Sequence, residues 1–61
     1  MNGDKLKAMR EKRKLTQEQL AAHLNISRNF ISAIENGRRK PSLAMLERIA
    51  NVLNCSLKDF F

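Results

Sequence analysis

The chain contains few of the residues on which covalent cross-links, metal sites and membrane segments depend. It has 61 residues, with one cysteine, one proline, one histidine, two glycines and neither tryptophan nor tyrosine. A single cysteine excludes an intrachain disulfide, and no cysteines and histidines have the spacing of a zinc site. No apolar run is long enough for a transmembrane helix, and the basic N-terminal segment lacks the apolar core of a secretory signal. These absences favour a reducing, intracellular setting, so we expect a cytoplasmic protein.

The chain also offers no plausible set of catalytic residues. Its histidine, His23, has no partner at metal-ligand spacing, and there is neither a nucleophile motif nor a glycine-rich phosphate loop. A chain of this length forms one domain at most, and its small core leaves no room for a sizeable pocket. We therefore expect a single domain over residues 1–61 that is not an enzyme and binds no cofactor or metal.

Positive charge is concentrated in the first two-thirds of the chain. The net charge is +6, and residues 1–40 hold ten lysines and arginines against four acidic residues, whereas residues 41–61 hold two of each. A one-sided positive field favours a polyanionic partner such as DNA, RNA or an anionic membrane. The alternative is a solvated basic surface, which gives the same composition.

Four helix starts share one pattern. An apolar or proline residue directly precedes a Ser or Thr, and another apolar residue lies four positions after that Ser or Thr. The hydroxyl can accept a hydrogen bond from the first turn, and the flanking apolar residues can pack together. The four instances begin at Leu15-Thr16, Ile26-Ser27, Pro41-Ser42 and Cys55-Ser56. The predicted helices cover roughly 3–13, 17–24, 28–36, 43–53 and 57–60. The fold class is therefore all-α, a compact bundle of five short helices.

Apolar spacing predicts which faces of these helices point inward. Helix 1 directs Leu6 and Met9 inward, and Leu15 closes the connection that follows it. Asn25 suits the turn between helices 2 and 3, because asparagine tolerates left-handed backbone, and Gly37 suits the end of helix 3. Spacings of three and four predict the inward face of helix 4 as Leu43, Leu46, Ile49, Ala50 and Leu53.

The segment from Gln17 to Gly37 is the most informative part of the chain. Two short amphipathic patterns meet there at the break Leu24-Asn25-Ile26. A tight helix pair with a polar second helix, on a basic chain, is the layout of a helix-turn-helix DNA-binding unit. The apolar positions that bury one side of both helices are Leu20, Ala21, Leu24, Ile26, Ile31 and Ile34. The polar face of the second helix is formed by Arg28, Asn29, Ser32 and Asn36.

The chain resembles the phage repressor and Cro-like helix-turn-helix domains, also called the Xre family. The residues that carry the resemblance are Leu6, Arg10, Leu15, Thr16-Gln17-Glu18-Gln19-Leu20-Ala21, Leu24, Ile26-Ser27, Ile31-Ser32, Ile34-Glu35-Asn36-Gly37, Pro41-Ser42, Leu46 and Leu53. It departs from the family at Asn25, where glycine is commoner, and at Phe30, where small hydroxyl residues are usual. The resemblance implies a lambda-repressor-like fold, whose third helix enters the major groove of double-stranded DNA. It also implies a buried structural ion pair between Arg10 and Glu35.

The start of helix 3 carries the candidate base contacts. Arg28 and Asn29 project from its first turn, the part of a recognition helix that meets base edges. Arginine can donate two hydrogen bonds to guanine, and asparagine can pair with adenine. In the alternative, Arg28 binds only phosphate and Asn29 only stabilises the helix start. Ser32 can contact a base or a phosphate, and Phe30 either packs in the core or meets a thymine methyl group.

The candidate phosphate contacts lie at the starts of helices 2 and 3 and after helix 3. Helix N-termini favour anions, so Gln17 can present its side chain and a backbone amide to a phosphate. Arg13 and Lys14 would add attraction at longer range, and for each of these cations a solvated side chain is the alternative. The full set of candidate phosphate contacts is Thr16, Gln17, Ser27, Asn36, Arg38 and Lys40.

The resemblance implies a sequence-specific transcriptional regulator, most often a repressor, that binds a palindromic operator as a homodimer. It also implies a bacterial or phage origin and association with the nucleoid when bound. The alternative is an antitoxin or another module of the same fold that binds a protein partner. A membrane-surface helix is disfavoured because the apolar face of helix 1 is too small for insertion. Phe60 fits the core, whereas Phe61 is exposed, contacts a second subunit or marks a truncation.

Overall fold

A computed structural model describes residues 1–61 as four α-helices followed by a short 3₁₀ turn. The helices are α1 (Gly3–Lys12), α2 (Gln17–Leu24), α3 (Arg28–Glu35) and α4 (Leu43–Leu53). The all-α class is confirmed, and α1 and α3 each end one residue before the predicted position. None of these helices has the length and apolar composition needed to cross a membrane.

The predicted fifth helix, Leu57–Phe60, is present as a short 3₁₀ helix and not as an α-helix. Helical segments this short often form 3₁₀ hydrogen bonds, between residues three apart, in place of the α-helical bonds between residues four apart. The N–H of Asp59 accordingly donates to the carbonyl of Ser56 at 3.0 Å. The Ser56 hydroxyl makes no cap bond, and the Ser56 N–H donates instead to the Asp59 carboxylate at 2.9 Å. The Asp59 carboxylate therefore stabilises the start of the turn by accepting this hydrogen bond.

Hydroxyl side chains begin three of the four α-helices, as the sequence predicts. The hydroxyl oxygens of Thr16, Ser27 and Ser42 accept from the backbone N–H three residues later, at 3.0, 3.1 and 3.1 Å. Such caps satisfy amides that a helix start would otherwise leave unpaired. Asn2 supplies a cap for α1 that the sequence pattern did not predict, and its Oδ1 accepts from two first-turn amides at 2.9 and 3.3 Å.

Left-handed backbone at Asn25 makes the turn between α2 and α3 tight. Asn25 has φ 58° and ψ 43°, as its place in the turn predicts. The N–H of Ile26 returns to the carbonyl of Ala21 at 3.0 Å, which closes the end of α2. Gly37 has φ 78°, also as predicted, and directs the chain away from α3. The two turns together fix where α3 begins and ends.

One apolar cluster fills the space between the helices. The prediction that Leu43 points inward is wrong, because 62% of its surface is exposed. Helical side chains lean towards the N-terminus, so the side chain of this first residue of α4 extends beyond the packed turns. Met45 packs against the cluster instead. The cluster consists of Leu6, Leu20, Ala21, Leu24, Ile31, Ile34, Leu46, Ile49, Ala50, Leu53 and Phe60.

Two arginine side chains hold the C-terminal ends of helices. Arg13 donates from Nε to the carbonyl of Leu53 at 2.7 Å, and Arg48 donates from Nη2 to the carbonyl of Leu24 at 2.5 Å. Cations are favourable at these positions because the last carbonyls of a helix are unpaired and carry partial negative charge. Arg13 is therefore engaged at the end of α4, whereas the sequence suggested only a free surface cation.

Candidate nucleic-acid interface

Arg10 of α1 and Glu35 of α3 form a buried ion pair. Arg10 Nε donates to Glu35 Oε2 at 2.7 Å, and Arg10 Nη2 donates to Glu35 Oε1 at 3.2 Å. The two residues are only 7% and 8% exposed. The hydrogen bond to Glu35 raises the pKa of Arg10, which favours the charged guanidinium. This two-bond geometry fixes α1 against the end of α3.

The ion pair extends into a larger set of contacts, which we call the Glu35 network: Arg10, Leu15, Gln17 and Glu35. Arg10 Nη1 donates to the carbonyl of Leu15 at 2.7 Å, and Gln17 Nε2 donates to Glu35 Oε1 at 3.0 Å. No buried side-chain nitrogen or oxygen in the chain lacks a hydrogen-bond partner. The first residue of α2 is therefore tied directly to the last residue of α3.

The candidate base-contacting residues lie along α3. Arg28 and Asn29 are exposed in its first turn, whereas Ser32 and Phe30 are half-buried. Phe30 packs against the core cluster, which is one of the two alternatives that the sequence left open, and it also lines a surface cleft; the thymine contact stays a prediction. Asn36 Nδ2 donates to the Ser32 hydroxyl at 3.4 Å, which joins a candidate phosphate contact to a candidate base contact.

Three shallow clefts border α3. Each has a volume of about 450 to 470 Å³. The first, which we call the Phe30 cleft, is lined by Ile26, Ser27, Asn29, Phe30, Ala33 and Arg39. The second is lined by Asn29, Ser32, Ala33, Arg38 and Arg39, and the third by Arg10, Thr16, Gln17, Glu18 and Arg28. The concave surface of the molecule thus follows the helix that carries Arg28 and Asn29.

The candidate phosphate contacts flank this surface on two sides. Thr16 and Gln17 line the third cleft at the start of α2, beside Arg28. On the other side, residues 38–40, which we call the basic loop, follow α3 and are exposed, as are Ser27 and Asn36. The Ala33 carbonyl accepts from the N–H of Arg38 at 2.9 Å and from that of Arg39 at 3.3 Å. These bonds fold the basic loop back along α3.

Arg39 belongs to this surface, although the sequence pattern predicts no contact for it. Its guanidinium carbon lies 5.4 Å from the centre of the Phe30 ring, a cation–π distance. The three cations Arg38, Arg39 and Lys40 are adjacent in the sequence, but the pattern does not say which of them turns towards α3. That choice depends on the path of the basic loop after Gly37.

The sequence has relatives of known type. Residues 6–60 match a family model described as helix-turn-helix. The chain is 49% identical over 51 residues to the immunity repressor protein of Bacillus phage phi105, covering 84% of this chain and 35% of that protein. It is 45% identical over 60 residues to the control protein C.MunI of Mycoplasma sp, covering 97% of this chain and 81% of that protein.

A solved structure shows the same fold. The restriction-modification controller protein C.AhdI from Aeromonas hydrophila matches with a TM-score of 0.90 at 29% identity, covering 97% of this chain and 89% of that chain. The chain spans about a third of the length of the phage repressor but most of the length of the two controller proteins. The resemblance to phage repressors is confirmed, and the chain belongs to the helix-turn-helix family of DNA-binding transcriptional regulators.

Proposed function

We propose that the chain represses transcription by covering a palindromic operator as a homodimer, with α3 in the major groove. The observation that carries the proposal is the exposed first turn of α3, where Arg28 and Asn29 lie between two flanking groups of phosphate-binding candidates. Base edges and both backbones of a duplex could then be contacted from one face. Occupancy alone would exclude a competing protein, so no catalytic step is required.

The residues divide into base contacts and phosphate contacts. Arg28 would donate to O6 and N7 of guanine, and Asn29 would pair with N6 and N7 of adenine. Ser32 lies one turn further along α3 and would meet a base or the adjacent phosphate. The positioning contacts to phosphate would come from Thr16, Gln17, Ser27, Asn36, Arg38 and Lys40.

The size of the recognition surface supports a homodimer. An α-helix of eight residues contacts only a few base pairs, which is too few to specify a site in a genome. Two copies related by a two-fold axis double the number of base pairs contacted and require an inverted repeat. The half-sites should then lie about one helical turn, roughly 34 Å, apart.

Selection of bound duplexes from a random DNA pool tests this proposal. The selection is run at about 0.1–0.15 M salt, where binding to phosphate alone is suppressed. We expect an inverted repeat with half-sites near one turn apart, and sedimentation should give two chains per duplex. Recovery of no common sequence, with binding that disappears as salt rises, would contradict the proposal.

A pair of variants separates base recognition from charge. Arg28→Ala should lose preference at one base pair of each half-site and bind that half-site about 5- to 150-fold more weakly, because a two-bond guanine contact is worth about 1–3 kcal/mol. Lys58→Ala removes an exposed cation from the 3₁₀ turn and serves as the control. An Arg28→Ala variant that binds all sequences equally weakly would mean that Arg28 binds phosphate only.

A further inference from the structure

A cation–π contact joins the basic loop to α3. The guanidinium carbon of Arg39 lies 5.4 Å from the centre of the Phe30 ring, and the Arg39 N–H donates to the carbonyl of Ala33. Phe30 is half-buried and packs against the core cluster. Phe30 is therefore held by core contacts, is approached by Arg39, and lines the Phe30 cleft together with Arg39.

The Phe30 cleft differs from the other two clefts in its lining. Ile26, Phe30 and Ala33 give it three apolar walls, whereas the third cleft is lined by polar side chains alone. No acidic residue lines the Phe30 cleft, and Arg39 lies at its side, so a polyanion can approach it without repulsion. The cleft thus suits a small apolar group carried by a negatively charged polymer.

The major groove of DNA offers one apolar group of this kind. Among the four bases, only thymine presents a methyl group there, attached at C5, and the other edge atoms are hydrogen-bond donors and acceptors. A methyl group is small enough to enter a shallow cleft beside the first turn of a recognition helix. Neighbouring Asn29, which lines the same cleft, would be placed at an adjacent base edge.

We propose that Phe30 and Arg39 together form a thymine-selective contact, in which the Phe30 cleft receives the C5-methyl group of one thymine in each half-site. The inference rests on the proposed function, since it requires α3 to lie in the major groove. Arg39 acts as a positioning residue: its guanidinium lies over the ring at a cation–π distance and keeps the ring against the cleft. Phe30 itself makes the contact with the methyl group.

Replacement of thymine by deoxyuridine tests this contact, because it removes the C5-methyl group and nothing else. Each thymine of the selected operator is replaced in turn, and the affinity of the full chain is measured. We expect one position in each half-site at which affinity falls about three- to fivefold, the loss expected for one buried methyl group. Phe30→Ala should bind the thymine and uracil duplexes equally at that position.

A charge-retaining variant and a control variant test the role of Arg39. Arg39→Lys keeps the positive charge but replaces the planar guanidinium that lies over the Phe30 ring. It should therefore reduce the thymine preference and leave the salt dependence of binding unchanged. Lys58→Ala, an exposed cation of the 3₁₀ turn outside the interface, is the control and should keep the thymine preference. An Arg39→Lys variant with the full preference would overturn the positioning role. The ratio of the two affinities is measured within one variant, so it does not depend on how much of that variant is folded.

The failure of this inference can be distinguished from the failure of the proposed function. If an operator is selected but no thymine preference depends on Phe30, the thymine contact is wrong and the operator-binding proposal stands. If no operator is selected at all, the proposed function fails and the thymine contact fails with it. A thymine preference that is lost only in the Phe30 and Arg39 variants supports both.

Discussion

Gly3, at the start of α1, lies directly against the backbone carbonyl of Glu35, at the end of α3. A Cβ atom at position 3 would collide with the Glu35 carbonyl oxygen and would lie 2.6 Å from the carbonyl oxygen of Ile34. Both neighbours are backbone atoms, so no flexible side chain can move aside. Glycine is therefore required at this position for α1 to approach the recognition helix.

The contact predicts that Gly3→Ala destabilises the protein by about 1–3 kcal/mol, the usual cost of excess volume at a packed site. Thermal unfolding followed by circular dichroism measures the effect. Lys7→Ala, at an exposed position of the same helix, is the control and should change stability little. A Gly3→Ala variant as stable as the parent chain would show that α1 can shift without cost.

The buried ion pair predicts a large loss of stability when one partner is removed. Arg10→Ala leaves the Glu35 carboxylate buried without its cation, and Glu35→Ala leaves the guanidinium unpaired, so each should cost about 3 kcal/mol. Denaturant unfolding measures the free energy of unfolding, with Glu47→Ala as an exposed control. The double variant should lose less than the sum of the single losses, since neither charge is then stranded. Additive losses would show that the two side chains act independently.

Lys40 is predicted to bind a phosphate and not a base. Lys40→Ala should weaken binding to all DNA sequences by a similar factor and reduce the slope of log affinity against log salt by about one. Titrations of the selected operator and of an unrelated duplex at several salt concentrations measure both quantities. Lys58→Ala, an exposed cation of the 3₁₀ turn, should leave the slope unchanged. A loss confined to the operator would contradict the phosphate role.

The environment of Cys55 predicts slow thiol chemistry in the folded state. Burial raises the pKa of the Cys55 thiol, and the nearby charge of Asp59 raises it further. Since the thiolate is the reactive form, iodoacetamide at about pH 8 should label the native chain more slowly than the chain in denaturant. The labelling rate in increasing denaturant measures this, and equal rates would show that Cys55 is freely accessible.

The same pKa shift has a defined sign for stability. The folded thiol holds its proton more tightly than the unfolded one, so stability is retained below the ordinary thiol pKa and is lost as the pH rises through and above it. Cys55→Ala should therefore show a smaller alkaline decline than the parent chain. Unfolding midpoints of the two chains between neutral and alkaline pH measure the difference.

Local chemistry in the sequence predicted most of the helix boundaries. Thr16, Ser27 and Ser42 act as caps within a few residues of the amides they bind, so their role is visible without tertiary structure. The same holds for Asn25 and Gly37, whose left-handed backbone belongs to a single turn. Leu43 was predicted wrongly because the periodic pattern of α4 does not say which of its turns meets the core.

Apart from the Arg10–Glu35 ion pair, which the family resemblance implied, contacts between distant segments were the part that the sequence did not predict. The approach of Gly3 to Glu35 and the bond from Gln17 to Glu35 both require α1, α2 and α3 to be docked before they exist. Within the candidate interface, the polar face of α3 followed from periodicity. The cation–π contact of Arg39 with Phe30 did not, because it depends on how the basic loop turns after α3.

The Glu35 network has a consequence for how the protein tolerates variation in DNA shape. Gln17, the candidate phosphate contact of α2, is bonded to Glu35, and Glu35 is held by Arg10, so α2 and α3 are spaced by direct hydrogen bonds. These hydrogen bonds oppose any change in the distance between α2 and α3 that would fit a wider or narrower DNA groove. The duplex has to deform instead, and the cost of that deformation depends on its sequence. Affinity is therefore expected to vary with base pairs that no side chain touches.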